Sequence, residues 1–342
     1  MGPVSPAMDS KRYFVRPFQE ADYEPLARLQ SLRVPELLST AEEEQEWDRT
    51  LAASHLIQEK WAVEEREAGK VVGFAALYQV PYGFHPHKFW VSLLVDPSHV
   101  SRGIGRALAS LLDAEASAHA ALSFWTSVRK DDSRSLRFAA QQGFVELRTT
   151  WMSVLDLSAA NSLSFEDRSD RFEREGIRIT TLAQEGPARS EVRHRLYDLW
   201  VETGRDVPRM GEFTPLTFDQ FEVDLDRPGF NPESVFLAGH GESYIASSHL
   251  ERDLAEPDTL IVGYTGTRSA YRGRGLAFEL KRRTIEYARQ HGVRFLKTFN
   301  DSLNDPIWRI NEKMGFRRTL EFSNQQRDFA PKPPAGGSGT SR

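Results

Sequence analysis

The 342-residue chain contains no cysteine. That excludes disulfides, thiolate metal sites and a covalent acyl-cysteine intermediate. No apolar run is long enough to span a membrane. The N-terminus, Met1-Gly-Pro-Val-Ser-Pro-Ala-Met-Asp9, has no basic stretch followed by an apolar core, so no secretory signal is expected. Pro6 stands where a myristoylation signal needs Ser or Thr. A basic excess is also missing. The 44 Lys and Arg against 49 Asp and Glu leave a net charge of −5, which argues against a nucleic-acid partner. The expectation is a cytoplasmic protein, and an assembly of identical chains is compatible with the sequence.

Two familiar phosphate-binding spacings are absent as well. Phe278 occupies the third position of a would-be Gly-x-Gly-x-x-Gly, and there is no Gly-x-x-x-x-Gly-Lys-Ser/Thr, which disfavours a dinucleotide or ATP site. What stands there instead is Tyr264-Thr-Gly-Thr-Arg-Ser-Ala-Tyr-Arg-Gly-Arg-Gly-Leu-Ala277. The apolar run from Leu260 to Tyr264 reads as a strand. Leu276, Leu280, Thr284 and Ala288 recur every four residues, as on one face of a helix. His291-Gly292 ends that helix. A Gly-Arg loop between a strand and a helix N-terminus presents unpaired N–H groups, the positive end of the helix dipole and glycines that let a ligand approach the backbone. It is a seat for a phosphate or pyrophosphate.

The same pattern occurs earlier in the chain. Gly103 and Gly105 lie 172 residues before Gly275 and Ala277, His119 lies 172 before His291, and Gly143-Phe144 lies 172 before Gly315-Phe316. Gly69 answers Gly241 at the same offset. A register held this long marks two copies of one fold. In the first copy, strands are expected at Tyr13–Pro17, Trp61–Glu65, Val71–Val80, Phe89–Val95, Leu122–Val128 and Trp151–Leu157. Helices are expected at Ala21–Leu32, Ala41–Leu56, Arg106–His119 and Ser133–Gln142. The boundaries read as 1–157 for the first copy, 158–176 for a charged linker, 177–325 for the second copy and 326–342 for a disordered tail rich in Pro, Gly and Ser. His85 and His87 form a His-x-His pair without an evident third ligand, so no metal site is expected.

The order Arg272-Gly-Arg-Gly275-Leu-Ala277 fits Arg/Gln-x-x-Gly-x-Gly/Ala and resembles the coenzyme A pyrophosphate loop of the GNAT acyltransferase family. The downstream Asn304-Asp-Pro-Ile-Trp-Arg-Ile-Asn-Glu-Lys-Met-Gly-Phe316 looks like that family's Asn-led helix ending in Gly-Phe. The resemblance covers nearly the whole chain, twice. It implies an α/β fold class of two tandem GNAT folds, each a mixed, mostly antiparallel central sheet flanked by helices. It implies acetyl-CoA as the acyl donor. It also implies coenzyme contacts from Thr265, Gly266, Thr267, Arg272, Gly273, Arg274, Gly275, Leu276, Ala277, Asn300 and Asn304 in the second copy. Their counterparts in the first would be Val95, Arg102, Gly103, Ile104, Gly105 and Arg106. The first copy has Val100 where the second has Arg272, so it is expected to be the weaker binder or a structural partner.

Direct acetyl transfer needs an acceptor amine relieved of its proton, a polarised thioester carbonyl and a proton for the departing thiolate. In many members of the family a Tyr four residues before the Gly-Phe pair gives that last proton. Here the position is Asn311 in the second copy and Ala139 in the first, and neither is a useful acid. Tyr264 and Tyr271 are the substitutes to consider. His249, Glu251 and Asp206 are the candidates for the base, His249 because it titrates near neutral pH. Asp206, Asp219, Glu222 and Asp224 would attract a cationic amine. The expectation is an N-acyltransferase acting on a small-molecule primary amine from its second copy. The alternatives are a protein acetyltransferase on Lys or an N-terminus, and a non-catalytic acyl-CoA-binding module. A nicotinamide dehydrogenase ranks behind both.

Overall fold

A computed structural model describes residues 7–159, 165–227 and 229–329. The first copy runs β1 (Tyr13–Pro17), α1 (Tyr23–Arg33), α2 (Ala41–Ala53), β2 (Gln58–Glu65), β3 (Lys70–Tyr78), β4 (Lys88–Val95), α3 (Ile104–Ala118), β5 (Ser123–Arg129), α4 (Ser133–Gln141) and β6 (Val145–Asp156). A short helix α5 (Ser169–Arg174) lies in the linker. The second copy runs β7 (Ile177–Thr181), α6 (Leu182–Glu185), α7 (Ser190–Gly204), α8 (Phe218–Leu225), β8 (Phe230–His240), β9 (Ser243–Arg252), β10 (Thr259–Thr267), α9 (Leu276–Gln290), β11 (Phe295–Asp301), α10 (Asp305–Lys313) and β12 (Arg317–Asp328). The residues that set the helical period are the ones buried: Ile104, Leu108, Leu112 and Ala116 on α3, and Leu276, Leu280, Thr284 and Ala288 on α9.

All twelve strands form one sheet in the order β1-β2-β3-β4-β5-β12-β6-β11-β10-β9-β8-β7. Pairing is antiparallel except for β4 with β5 and β10 with β11. In each copy that parallel pair is short. It ends at Trp90–Trp125 in the first and at Val262–Thr298 in the second, and the strands then part. Each copy is thus a mixed, mostly antiparallel sheet flanked by helices.

The two copies exchange their last strands. β12 of the second copy lies between β5 and β6, and β6 of the first lies between β12 and β11. Gln326, Arg327 and Asp328, expected in a tail, belong to β12. Gln326 Oε1 accepts from Trp125 Nε1, and Arg327 pairs with Asp113 at 2.7 Å. A polar strand end reads as tail in the sequence, but here its polar groups have partners on the other copy. Residues 330–342 of the expected tail and 160–164 of the linker lie outside the described residues.

Candidate active site

The two phosphate loops have one backbone. Val100 (φ −67°, ψ 160°) matches Arg272 (φ −67°, ψ 159°). Ser101 (φ 61°) matches Gly273 (φ 76°), and Gly103 (φ 82°) matches Gly275 (φ 88°). Gly103 and Gly275 are the N-caps of α3 and α9. Ser101 holds a left-handed conformation that is uncommon for a non-glycine residue, so the first loop keeps its shape at some cost. The side chains differ. Arg272 donates to the Thr267 carbonyl oxygen at 3.1 Å and pairs with Asp206. Arg102 donates to the Tyr13 hydroxyl at 2.9 Å and turns away from the cleft.

Where the parallel strands of the first copy part, a slot leads inward from the loop. In the first copy it is an open cavity of about 110 Å³, lined by Val91, Ala109, Thr126, Ala139 and Phe144 together with Phe322 and Arg327 of β12. A cleft of about 490 Å³ at the loop adjoins it, lined by Val95, Gly103, Ile104, Gly105 and Arg106. A chamber of about 400 Å³ lies on the acceptor side, with Glu43, Glu44, Asp48 and Lys60 in its wall. In the second copy, Asn311 Nδ2 donates to Asn300 Oδ1 at 2.7 Å, and both residues are buried. Asn304 sits at the N-cap of α10 without a side-chain cap bond, whereas its counterpart Asp132 caps α4 through two. The Asn304 amide is therefore not used in capping.

The second copy's acceptor side is a chamber of about 350 Å³ walled by Tyr197, Trp200, Phe221, His249, Glu251 and Tyr264. Register shifts between Val262 and Thr265, so Gly263 and Tyr264 bulge opposite His249. A bulge releases backbone N–H groups from the ladder. His249 Nε2 and Glu251 Oε1 are 2.8 Å apart, and the imidazole stacks on Trp200. Arg227 reaches Glu251 at 2.6 Å and Asp224 at 3.3 Å. Tyr82, from a turn of the first copy (Pro81–Gly83), donates to Asp224 at 3.1 Å and forms part of the chamber wall. Burial raises the Glu251 pKa, but the contacts from His249 and Arg227 outweigh it and hold the carboxyl down at about 2. Burial pushes the Tyr264 hydroxyl up to about 12, and it donates to Thr203 Oγ1 at 2.7 Å.

Buried polar atoms without partners point to what the site is built for. Among the described residues these include Thr267 Oγ1, Asn311 Oδ1 and His249 Nδ1. In the second copy they lie at the loop end of β10, on α10 and in the chamber wall on β9. The residues 172 positions earlier are Val95, Ala139 and Leu77, all apolar. The second copy has donors and acceptors waiting along a path that the first leaves greasy.

A family model described as Acetyltransferase (GNAT) family matches residues 23–144 and again 194–316. The chain belongs to the GNAT acetyltransferase family. Among curated proteins, a mycothiol acetyltransferase of Corynebacterium glutamicum is 24% identical over 228 residues, 66% of this chain and 70% of the relative. Among solved structures, a GCN5-related N-acetyltransferase from Sphaerobacter thermophilus superposes with a TM-score of 0.70 at 19% identity, over 94% of this chain and 97% of that one. A tandem GNAT protein from the clavulanic acid biosynthesis pathway gives 0.70 at 18% identity, over 94% and 99%. As a GNAT protein the chain is an acyl-CoA-dependent acetyltransferase with acetyl-CoA as donor. The residues fit that donor. The cap glycines and Arg272 suit its pyrophosphate, Asn300, Asn304 and Asn311 suit its amide-bearing arm, and the bulge at Gly263 suits the acyl carbonyl.

The structure brings His249, Glu251 and Tyr264 together in the chamber. It moves Asp206 elsewhere. That carboxylate does not line the chamber but ion-pairs with Arg272, because the loop after α7 runs beside the phosphate loop. The acidic cluster is dispersed likewise: Asp224 faces the chamber, while Glu222 pairs with Arg193 on α7. Tyr271 lies at the loop's outer side, 3.0 Å from His240 Nδ1 and under Arg274. Thr265 shares a hydrogen bond with Ser248, and Leu276 is packed in the core. His85 Nδ1 accepts the His87 backbone N–H. Among the described residues no helix is long and apolar enough to cross a membrane.

Four site residues escaped the sequence reading. Tyr82 and Arg227 need tertiary structure to reach the chamber. Arg168 of the linker stacks on Phe278 and lies 3.4 Å from where a Cβ on Gly275 would be. Gly263 had a signal in its lack of a side chain. A Cβ there would collide with Glu251 Oε1 and come within 2.5 Å of His249 Nε2.

Proposed function

We propose that the second copy transfers the acetyl group to a primary amine of a small molecule bound in the chamber of His249, Glu251 and Tyr264. The observation that carries this reading is the run of unpartnered buried polar atoms, Thr267, Asn311 and His249, along one path. A chamber of about 350 Å³ walled largely by aromatic and apolar side chains suits a small acceptor. The Corynebacterium relatives, named for a single small molecule, support the same substrate class.

His249 is the base in this reading. Glu251, held ionised, accepts the Nε2 proton and so leaves the Nδ1 lone pair to take a proton from the acceptor, directly or through water. The Gly263–Tyr264 bulge supplies the N–H groups that polarise the acyl carbonyl. For the first copy we propose coenzyme A binding without turnover. Its loop backbone and open slot are suited to that, but it has Leu77 where the second has His249.

Mass spectrometry of the protein with acetyl-CoA and a pooled amine library tests this. One or a few small amines should gain an acetyl group with the wild type and none with His249→Gln. Acetylation of peptides and proteins alone would contradict it.

A further inference from the structure

Helix α9 carries a lysine where α3 carries an alanine. Lys281 is 1% exposed. Its ammonium lies 5.6 Å from the centroid of the Phe316 ring, and among the described residues no ion pair reaches it. A buried cation without a counter-charge is one of the costlier arrangements a fold can hold. The first copy has an alanine at the same position, beside an open cavity of about 110 Å³.

The first copy also shows what this position faces. Ala109, Ala139 and Phe144 line one slot there, with Val91 and Thr126. At the offset of 172 residues their counterparts are Lys281, Asn311 and Phe316, with Gly263 and Thr298. Lys281 Nζ over the Phe316 ring agrees with that register. At the equivalent place the second copy therefore carries Lys281, with its three N–H donors, and the buried Asn311 Oδ1 that has no partner. Position 311 is also where many family members place the acid that this chain lacks.

We propose that Lys281 protonates the leaving sulfur in the second copy. The proposal rests on the reading that the second copy carries the transfer. As the acceptor nitrogen bonds to the acyl carbon, the carbon–sulfur bond breaks and its electron pair goes to sulfur. Lys281 gives sulfur a proton and becomes a neutral amine, while His249 takes the proton lost by the acceptor. Both groups then return to their starting states by exchange with solvent.

Tyr264 suits the task less well, since its hydroxyl is committed to Thr203 and faces the chamber. Burial lowers the Lys281 pKa to about 7, which suits a donor working near neutrality. No charge contributes to that shift, neither Glu279 and Arg282 on α9, nor His249, Glu251 and Lys297 on the strands beneath, nor Glu312 and Lys313 on α10.

The test compares coenzyme A with desulfo-coenzyme A by calorimetry, using wild type, Lys281→Met and Lys281→Ala. The methionine keeps the length of the side chain, and the alanine copies a residue the fold already accepts at position 109. Wild type should bind coenzyme A about ten- to a hundredfold more tightly than the desulfo compound. In both variants the ratio should fall towards one while desulfo-coenzyme A still binds. A folded variant that keeps the wild-type ratio overturns the proposal. Because the first copy is read as binding coenzyme A too, Gly275→Val should remove one of two binding events. Two unchanged events overturn the second-copy reading and this proposal with it, whereas a lost event with an unchanged ratio in the Lys281 variants overturns this proposal alone. Once an acceptor is known, Lys281→Met should lower kcat about 10²–10⁴-fold without raising KM for acetyl-CoA. The fall of the wild-type kcat above about pH 7 should vanish with it.

Discussion

A lysine buried without a partner changes how the whole protein responds to pH. The folded-state pKa of Lys281 is about 7, and an unfolded lysine titrates near ~10.4. Between those values the unfolded chain binds more protons than the folded one, so this group makes stability rise with pH across that window. Below pH 7 both states are protonated and the slope from this residue disappears. Lys281→Met should raise the unfolding midpoint at neutral pH and flatten the rise between pH 7 and about 10, measured as midpoint against pH for both proteins. Identical slopes would mean that the amine is hydrated or paired. Gly263→Ala offers a second test at this scale. Its Cβ cannot fit beside Glu251 Oε1 and His249 Nε2. It should reduce turnover about as much as His249→Gln, roughly 10²–10⁴-fold, with coenzyme A affinity retained.

Among the elements, the strand–loop–helix unit was the most legible in the sequence. Glycine at the helix cap and a four-residue apolar period are local signals, and they fixed both loops and both helices. Arg272 was legible as a candidate phosphate ligand, but its pairing with Asp206 was not, because two loops 66 residues apart meet only in the folded state. That pair has a consequence. Asp206→Asn should free Arg272 and tighten coenzyme A binding, whereas Arg272→Ala should weaken it about tenfold. Titration calorimetry on both variants decides, and a weaker Asp206→Asn would show that the carboxylate holds the arginine in place for the ligand. Lys281 escaped the sequence reading for the opposite reason. In the run Lys281-Arg-Arg283, beside an apolar stripe, it has the pattern of a solvent-facing residue. Only the comparison with Ala109 in its slot shows that it faces inward.

For the whole molecule, the exchange of β6 and β12 joins what the sequence divides. Two copies of one fold have interchangeable last strands, and nothing local decides which β5-like or β11-like edge each will take. Here the first half's slot is walled in part by Phe322 and Arg327 of the second half's last strand, and Tyr82 of the first copy lines the chamber of the second. Residues 1–157 and 158–342 expressed separately should each expose an unpaired sheet edge and associate non-specifically. Co-expressed, they should form a stable one-to-one complex with the activity of the intact chain. Two soluble, active, independent halves would show that the exchange is dispensable. The central claim is that the second copy does the chemistry, and acetyl transfer by Gly275→Val and Gly103→Val tests it most directly. Each places a branched residue at a cap glycine of positive φ, and circular dichroism must confirm that both fold. Turnover should be lost in Gly275→Val and largely kept in Gly103→Val. The reverse result, loss in Gly103→Val and retention in Gly275→Val, would contradict it.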